Sequence, residues 1–261
     1  MVEVVSNPCQ NTFINCISNS KKSIMLCAPF ISKSIIKKVL GEVKNSNVKM
    51  TVITRSHTPS FINGSSDIEA IEYLIDKGIK VYNYQNLHAK VYVFDKKQAL
   101  VTSSNLTYNG LNRNFEYGLM VDDKDVLVKI NDDYEALKHS ELCGKFNKQI
   151  IKDIKKIIEQ NKTSRVVMDE YGEEVIDLTG ESTKLKGIKS GWVNDVFKIV
   201  ESIPTNEFVL SDVYSYRSIL QEKHPNNMHI DDKIRQMLQV LRDLGLIRFV
   251  ERGKYKKLFI K

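Results

Sequence analysis

The sequence predicts an α/β chain in two parts: a mixed β-sheet flanked by helices, then a small carboxyl-terminal domain of three helices and a hairpin. Three observations carry that prediction. From "SIMLCAPF" to "IKVYNY", apolar runs of strand length alternate with amphipathic helical stretches, the order that parallel strands under covering helices require. From Ala89 onward strands crowd together, with only "KK" between "AKVYVFD" and "QALVTSS", so an antiparallel hairpin joins the parallel part. After residue 188 the order is helix, helix, helix, hairpin.

With 261 residues and 42% hydrophobic content, the chain can bury the core of one medium domain and one small one. The expected division is 1–160, a linker at 161–187 in which "VVMDEYGEEVIDL" is hairpin-like, and 188–261. No run of about 18 apolar residues occurs, and "MVEVVSNPCQ" lacks the basic and apolar regions of a secretory signal. A cytoplasmic protein with no membrane partner is expected. Cys9, Cys16, Cys27 and Cys143 show no C-x-x-C spacing, so they are expected as buried free thiols, with no metal and no cofactor. The net charge of +7 favours an anionic partner. Residues 188–261 hold 13 Lys and Arg against 9 Asp and Glu, which concentrates the excess in the second domain.

In chain order, "QNTFINCISNS" has helical spacing and "SIMLCAPF" reads as a buried strand. "SKSIIKKVLGEVKN" is an amphipathic helix capped by Ser32 or Ser34. "VKMTVITR" is the next buried strand. The turn-rich "SHTPSFINGSSD" leads to the helix "DIEAIEYLIDKG", which Gly78 stops. "IKVYNY", "AKVYVFD", "QALVTSS" and "FEYGLMVD" follow as strands, and the stretch to Lys162 supplies helices.

The chemistry gathers in "NLHAKVYVFDKKQALVTSSNLTYNGLNRNFEYGLMV". His88 and Lys90 stand two apart, so on a strand both emerge on one face, an imidazole nucleophile beside an ammonium that can hold a phosphate oxygen. Ser103 and Asn105 are again two apart, past the next strand, where hydroxyl and amide can donate to non-bridging oxygens. Glu116 opens the following strand and is expected to accept from the far ring nitrogen of His88, fixing its tautomer. Asp95 falls at the hairpin and is expected to hold the turn.

"HAKVYVFD", "TSSNLTYNG" and "NFE" together resemble the phospholipase D superfamily, whose pattern is H-x-K-x(4)-D-x(6)-G-S-x-N, with Thr102 here in place of the glycine. The resemblance covers roughly residues 1–150. It implies a phospholipase D-like fold and metal-independent, two-step phosphodiester hydrolysis through a phosphohistidine at His88, the leaving oxygen taking its proton from a second histidine. His57, His139, His224 and His229 have no lysine two residues on, and single-motif members pair two subunits. A homodimer through the nuclease domain is therefore expected.

In the second domain, "GWVNDVFKIVESIP" buries Trp192, Val193, Val196, Phe197 and Val200, "VLSDVYSYRSILQEKHP" gives a second helix capped by Ser211, and "HIDDKIRQMLQVLRDLG" a third that Gly245 stops. With "LIRFVERGKYKKLFI" as hairpin, this is the order of a winged helix, whose third helix enters the major groove. Asn226, Asn227, His229, Arg235, Gln236 and Gln239 are candidate base readers. Arg252, Lys254, Lys256 and Lys257 are candidate phosphate contacts.

"FVLSDVY" and "HPNNMHIDDKIRQMLQVLRDLGLIRFVERGKY" resemble the carboxyl-terminal winged helix of the Dpn-type restriction endonuclease. The two resemblances together imply a site-specific DNA endonuclease of restriction type like the Bfi-type enzymes, with or without a methyl requirement, acting on double-stranded DNA. A nonspecific nuclease, a lipid phosphodiesterase or synthase, and a DNA-binding regulator with an inactive phosphodiesterase fold are the alternatives.

Overall fold

The computed structural model describes residues 2–6, 8–180, 184–189 and 191–261. The chain divides into two compact units: Met1–Arg55 with Ser65–Lys148, and Ser56–Gly64 with Gln149–Lys261.

The first unit holds an eight-stranded mixed sheet. Its strands are β1 (Val2–Ser6), β2 (Ser23–Cys27), β3 (Lys49–Thr54), β4 (Lys80–Tyr84), β5 (Val91–Phe94), β6 (Gln98–Thr102), β7 (Tyr117–Val121) and β8 (Cys143–Lys145), ordered β1-β7-β6-β5-β2-β3-β4-β8. β2, β3 and β4 run parallel and the other pairings are antiparallel. β5 lies centrally and is buried on both faces. Val91 and Val93 pack with Cys27, Ile53 and Ala99 against Leu127 and Tyr134, while Tyr92 and Phe94 meet the ring of Phe13 edge-on at 5.0 and 6.1 Å. Alternate residues of one strand thus serve two layers.

The helices in chain order are α1 (Gln10–Asn19), α2 (Lys33–Glu42), α3 (Thr58–Ile62), α4 (Ile68–Asp76) and α5 (Lys124–His139), of which α3 belongs to the second unit. Gly78 takes the left-handed φ of +76° after α4, as its sequence position predicts. Two strands of this unit lie outside the sequence reading. β1 presents Val2 and Val4 to solvent, and β8 is three residues long, too short for any periodicity to register.

The second unit contains α6 (Lys148–Gln160), β9 (Val166–Met168), β10 (Glu174–Asp177), α7 (Trp192–Ser202), β11 (Glu207–Val209), α8 (Leu210–Tyr214), α9 (Arg217–Lys223), α10 (Ile230–Asp243), β12 (Ile247–Glu251), β13 (Lys254–Lys257) and β14 (Phe259–Ile260). Where the sequence reading ends a domain at 160 and places a linker after it, α6 lies in this unit, and the β9–β10 hairpin is tied in by parallel pairing of Ile176 with Phe259. The expected second helix is two helices, broken at Ser215–Tyr216. Its cap is Val209 rather than Ser211, with the Val209 N–H donating to Asp212 Oδ2 at 2.8 Å. Trp192 and Val193, expected in the core, are half-buried. The Trp192 ring instead stacks on His224 with centroids 3.9 Å apart.

Residues 56–58, read as a turn, close the end of α10. Ser56 Oγ donates to Asp243 O at 2.7 Å, Thr58 Oγ1 to Leu244 O at 2.5 Å, and Thr58 N to Gly245 O at 3.2 Å. Gly245, at φ +73°, has no room for a side chain, because a Cβ there would lie 2.8 Å from Ser56 O. The carbonyls that a helix leaves unsatisfied at its end thereby gain donors. None of the four cysteines is in a disulfide: Cys9 and Cys27 are buried, while Cys16 and Cys143 are half-buried rather than buried as expected.

Candidate active site

One edge of the large sheet collects the chemistry, and strand direction explains why. His88 and Lys90 lead into the start of β5, Ser103 and Asn105 leave the end of β6, and Glu116 leads into the start of β7. Because β5, β6 and β7 are successive antiparallel neighbours, those three positions fall at the same edge. The ladder runs on past the named strands: Thr102 N donates to Lys90 O at 3.1 Å and Ser103 N to Tyr117 O at 3.0 Å. His88 and Lys90 therefore precede the strand instead of lying on it, with His88 exposed and Lys90 half-buried.

Lys90 Nζ donates to the His88 carbonyl at 2.8 Å, so the ammonium pins the main chain that carries the imidazole. Burial pulls Lys90 below the usual lysine range, the charge of Glu116 opposes that, and Arg55 adds to it. Among the described residues no hydrogen bond or ion pair is made by the His88 ring. The expected bond between His88 and Glu116 is absent. Glu116 accepts from the Ser103 hydroxyl, and from Asn114 Nδ2 at 3.1 Å. The reason is geometric: Glu116 extends β7, which adjoins the strand of Ser103, while His88 extends β5, about 10 Å away across two strand spacings. Asn105 is half-buried, and its Oδ1 accepts from the Phe30 N–H at 3.4 Å. That leaves the amide nitrogen as its donor.

Thr102 is accommodated by an exchange across the sheet. It pairs with Gly118 of β7, and a Cβ on Gly118 would lie 2.8 Å from Thr102 Cβ. The glycine missing from the motif stands on the neighbouring strand. The Thr102 hydroxyl donates to Tyr117 O at 3.0 Å and accepts from Ser104 N at 3.1 Å, which shapes the turn that presents Ser103.

Asp95 holds the hairpin, at φ +54°, a region Asp tolerates. Its carboxylate accepts from the N–H groups of Lys21, Lys22 and Ser23 at 2.8, 2.7 and 2.9 Å. Burial pushes this carboxyl up, but those three donors outweigh it and hold it below the usual range.

Arg55 escaped the sequence reading. It directly follows β3, whose end lies at the same edge because β3 is parallel to β2 and β2 antiparallel to β5. Its guanidinium lies 4.7 Å from the centroid of the Phe30 ring. The only signal was a basic residue closing the strand "VKMTVITR", at an edge where α/β sheets carry their sites.

In the second unit the candidate DNA readers separate into two groups. Arg235, Gln236 and Gln239 are exposed on α10, and Asn226 and His229 are exposed just before it. Arg235 pairs with Asp232 at 3.0 Å and Gln236 accepts from Lys233 Nζ at 2.7 Å. Asn227 is half-buried, its Oδ1 accepting from the His229 N–H at 2.8 Å. On the hairpin, Arg252 is exposed and Lys254 pairs with Glu207 at 2.9 Å.

Lys256 corrects the sequence reading. It is 2% exposed and lies 2.6 Å from Asp169 and 3.2 Å from Glu173, so it is consumed inside the unit and cannot meet a phosphate. Lys257 is buried as well, donating to the Ile203 carbonyl. The acidic β9–β10 hairpin draws Lys256 inward and the end of α7 takes Lys257, contacts that strand alternation could not reveal.

Residues 13–138 match the family described as "Cardiolipin synthase, PLD-like domain". The chain carries a phospholipase D-like domain. Residues 189–257 match the "Dam-replacing HTH domain", so a helix–turn–helix domain follows it. Among similar curated proteins, cardiolipin synthase A of Buchnera aphidicola is 26% identical over 154 residues, which cover 56% of this chain and 31% of that protein. The DISARM protein DrmC of Bacillus paralicheniformis is 42% identical over 57 residues, 22% of this chain and 24% of that protein. The chain thus spans under a third of the length of these curated relatives. Nuc of Salmonella typhimurium, a phospholipase D family member of known structure, aligns over 56% of this chain and 98% of its own, at 19% identity and a TM-score of 0.48. Among the described residues no helix is long and apolar enough to cross a membrane.

Proposed function

We propose that this chain is a DNA phosphodiesterase of restriction type, cutting at sites selected by its helix–turn–helix domain, through a phosphohistidine at His88 and without a metal. The observation that carries this reading is the gathering of His88, Lys90, Ser103, Asn105 and Glu116 at one sheet edge, in a chain that also presents Arg235, Gln236 and Gln239 on an exposed helix. His88 attacks phosphorus, a P–N bond forms, and the P–O bond to the leaving strand breaks. Lys90 and the Asn105 amide hold the charge that develops on the non-bridging oxygens, and Glu116 orients the Ser103 hydroxyl beside them. Water then attacks phosphorus, its proton passing to the histidine that protonated the leaving oxygen, and the P–N bond breaks, which returns His88.

The leaving oxygen needs a proton, and a second copy of His88 supplies it across a homodimer. An unpartnered apolar face adjoins the site and supports this: Val4 and Val101 flank Leu119 in register, exposed by 54, 39 and 41%, and Phe115, next to Glu116, is 85% exposed. An enzyme that reads duplex DNA in this way acts in the cytoplasm. The matches to cardiolipin synthase keep a second reading open, phosphoryl transfer to a lipid alcohol.

The test is digestion of adenine-methylated and unmethylated genomic DNA in EDTA, with sequencing of the ends and His88→Ala as control. Recurrent termini that depend on His88 are expected. Cleavage that needs added metal, or survives in His88→Ala, overturns the reading. Mixing His88→Ala with wild type tests the dimer, for which activity should follow the wild-type homodimer fraction. Unchanged activity per wild-type chain would remove the shared centre.

A further inference from the structure

We infer that Tyr108 and Arg113 form a nucleotide subsite beside this centre, the Tyr108 ring stacking on the base next to the scissile phosphate and Arg113 meeting the following phosphate of the strand. It rests on the phosphodiesterase reading of the site and names its substrate class, a nucleic acid strand rather than a lipid. Asn109–Arg113 form a π-helical turn, a rare form that is frequent at functional sites. The turn stands between Asn105 and Glu116 in the chain and is tied to both. A Cβ on Gly110 would lie 2.6 Å from Asn105 O and 2.8 Å from Asn105 N, so the turn packs directly on the main chain of Asn105. At its other end Asn114 N donates to Asn109 O at 2.8 Å, and Asn114 Nδ2 donates to Glu116 Oε1 at 3.1 Å. Leu106 and Leu111 are fully buried, and Asn112 Nδ2 donates to Gln10 Oε1 at 3.1 Å. A turn anchored in this way holds its outward side chains in fixed places.

What this footing presents to solvent is an aromatic ring and a cation. Tyr108 is 54% exposed, and Arg113 is exposed with its guanidinium 5.9 Å from the Tyr108 ring centroid. Among the described residues Arg113 forms no ion pair. A ring left in water adds nothing to the core. A ring beside a cation, however, is the pair that tracks a nucleic acid strand, since every base has a π-face to stack and the cation meets the backbone. The surroundings are polar, with Asn109 and Asn114 exposed around Arg113, which suits a strand and not an acyl chain. In a duplex the contact requires the base beside the cut to leave the stack.

The experiment uses the full chain and diesters that share a leaving group. Bis(p-nitrophenyl) phosphate has no nucleoside, whereas the 5′- and 3′-(p-nitrophenyl phosphates) of thymidine have one on either side. Tyr108→Ala should raise KM about 10-fold for one of the two thymidine esters and leave the simple diester unchanged. Tyr108→Phe, which keeps the ring, should match wild type on all three. For Arg113→Ala the esters should be unaffected, and binding of a twelve-nucleotide single strand, followed by fluorescence anisotropy in the His88→Ala background, should lose about 0.7 from its salt slope. Unfolding midpoints should stay close to wild type, because both side chains are exposed. Equal losses on all three diesters, or none on any, overturn the inference. So does a shift of Tyr108→Ala toward monomer in size exclusion, which would put the ring in a subunit interface, and so does a loss on phosphatidylglycerol vesicles with the thymidine esters untouched. If wild type hydrolyses none of these diesters, the phosphodiesterase reading fails by itself, and strand binding by Tyr108→Ala still decides on the subsite.

Discussion

Two lysines look alike in the sequence and do opposite things in the molecule. Lys90 sits half-buried at a sheet edge, donating to the carbonyl of His88. Lys256 sits at 2% exposure between Asp169 and Glu173. Both were candidate phosphate contacts. The difference lies in what surrounds each ammonium, since a cation already neutralised within its own unit has little field left for a ligand. Among described residues of the second unit, the charge excess thus overstates the cations on offer to DNA, and Arg252 and Arg235 remain exposed.

The sharpest break of this comparison is catalytic. His88→Ala should lower DNA cleavage by at least about 10³-fold, and Lys90→Ala should follow it closely, both with unchanged unfolding midpoints. A stability loss large enough to explain the inactivity would sink the contrast. Lys256→Met should do the reverse. Removing one partner of a buried ion network strands the other charges and costs about 3–5 kcal/mol, measured by urea unfolding, while DNA affinity per folded molecule stays the same.

A smaller effect tests the exchange of glycine across β6 and β7. Gly118→Ala forces a Cβ to within 2.8 Å of Thr102 Cβ and 2.9 Å of Val101 O, an overpacking worth about 1–3 kcal/mol. Adding Thr102→Gly should recover part of it, and no recovery in the double variant would mean that the two positions are not coupled.

The smallest expected effect is the pH response of Asp95. Its folded carboxyl lies below its ordinary value, so its contribution is present above about pH 4 and is lost as pH falls through the folded value. Asp95→Asn should therefore be less stable than wild type at pH 7, with the gap closing toward pH 2.5. A gap of constant size would assign Asp95 a steric role only.

Much of this was legible beforehand because it is local. The H-x-K and S-x-N spacings sit on strand extensions, and a two-residue period survives in any sheet. Gly78 and Gly245 mark helix ends through their own backbone preference. The third helix of the second unit was readable from its apolar spacing, whereas the break at Ser215–Tyr216 carried no proline or glycine to announce it. Glu116 was assigned to the right edge and the wrong partner, because spacing counts residues along the chain and not strands across the sheet.

By itself, then, the sequence determined the mixed α/β class, the apolar faces of the long helices, and the residues proposed to handle a phosphate. Only tertiary structure decided which of those groups meet. It brought Arg55 and Phe30 to the edge through parallel and antiparallel pairing, withdrew Lys256 behind Asp169 and Glu173, and built residues 56–58 into the end of α10. Periodicity records which face of an element is apolar. Which polar groups are neutralised depends on neighbours distant in sequence, and those neighbours exist only once the chain has folded.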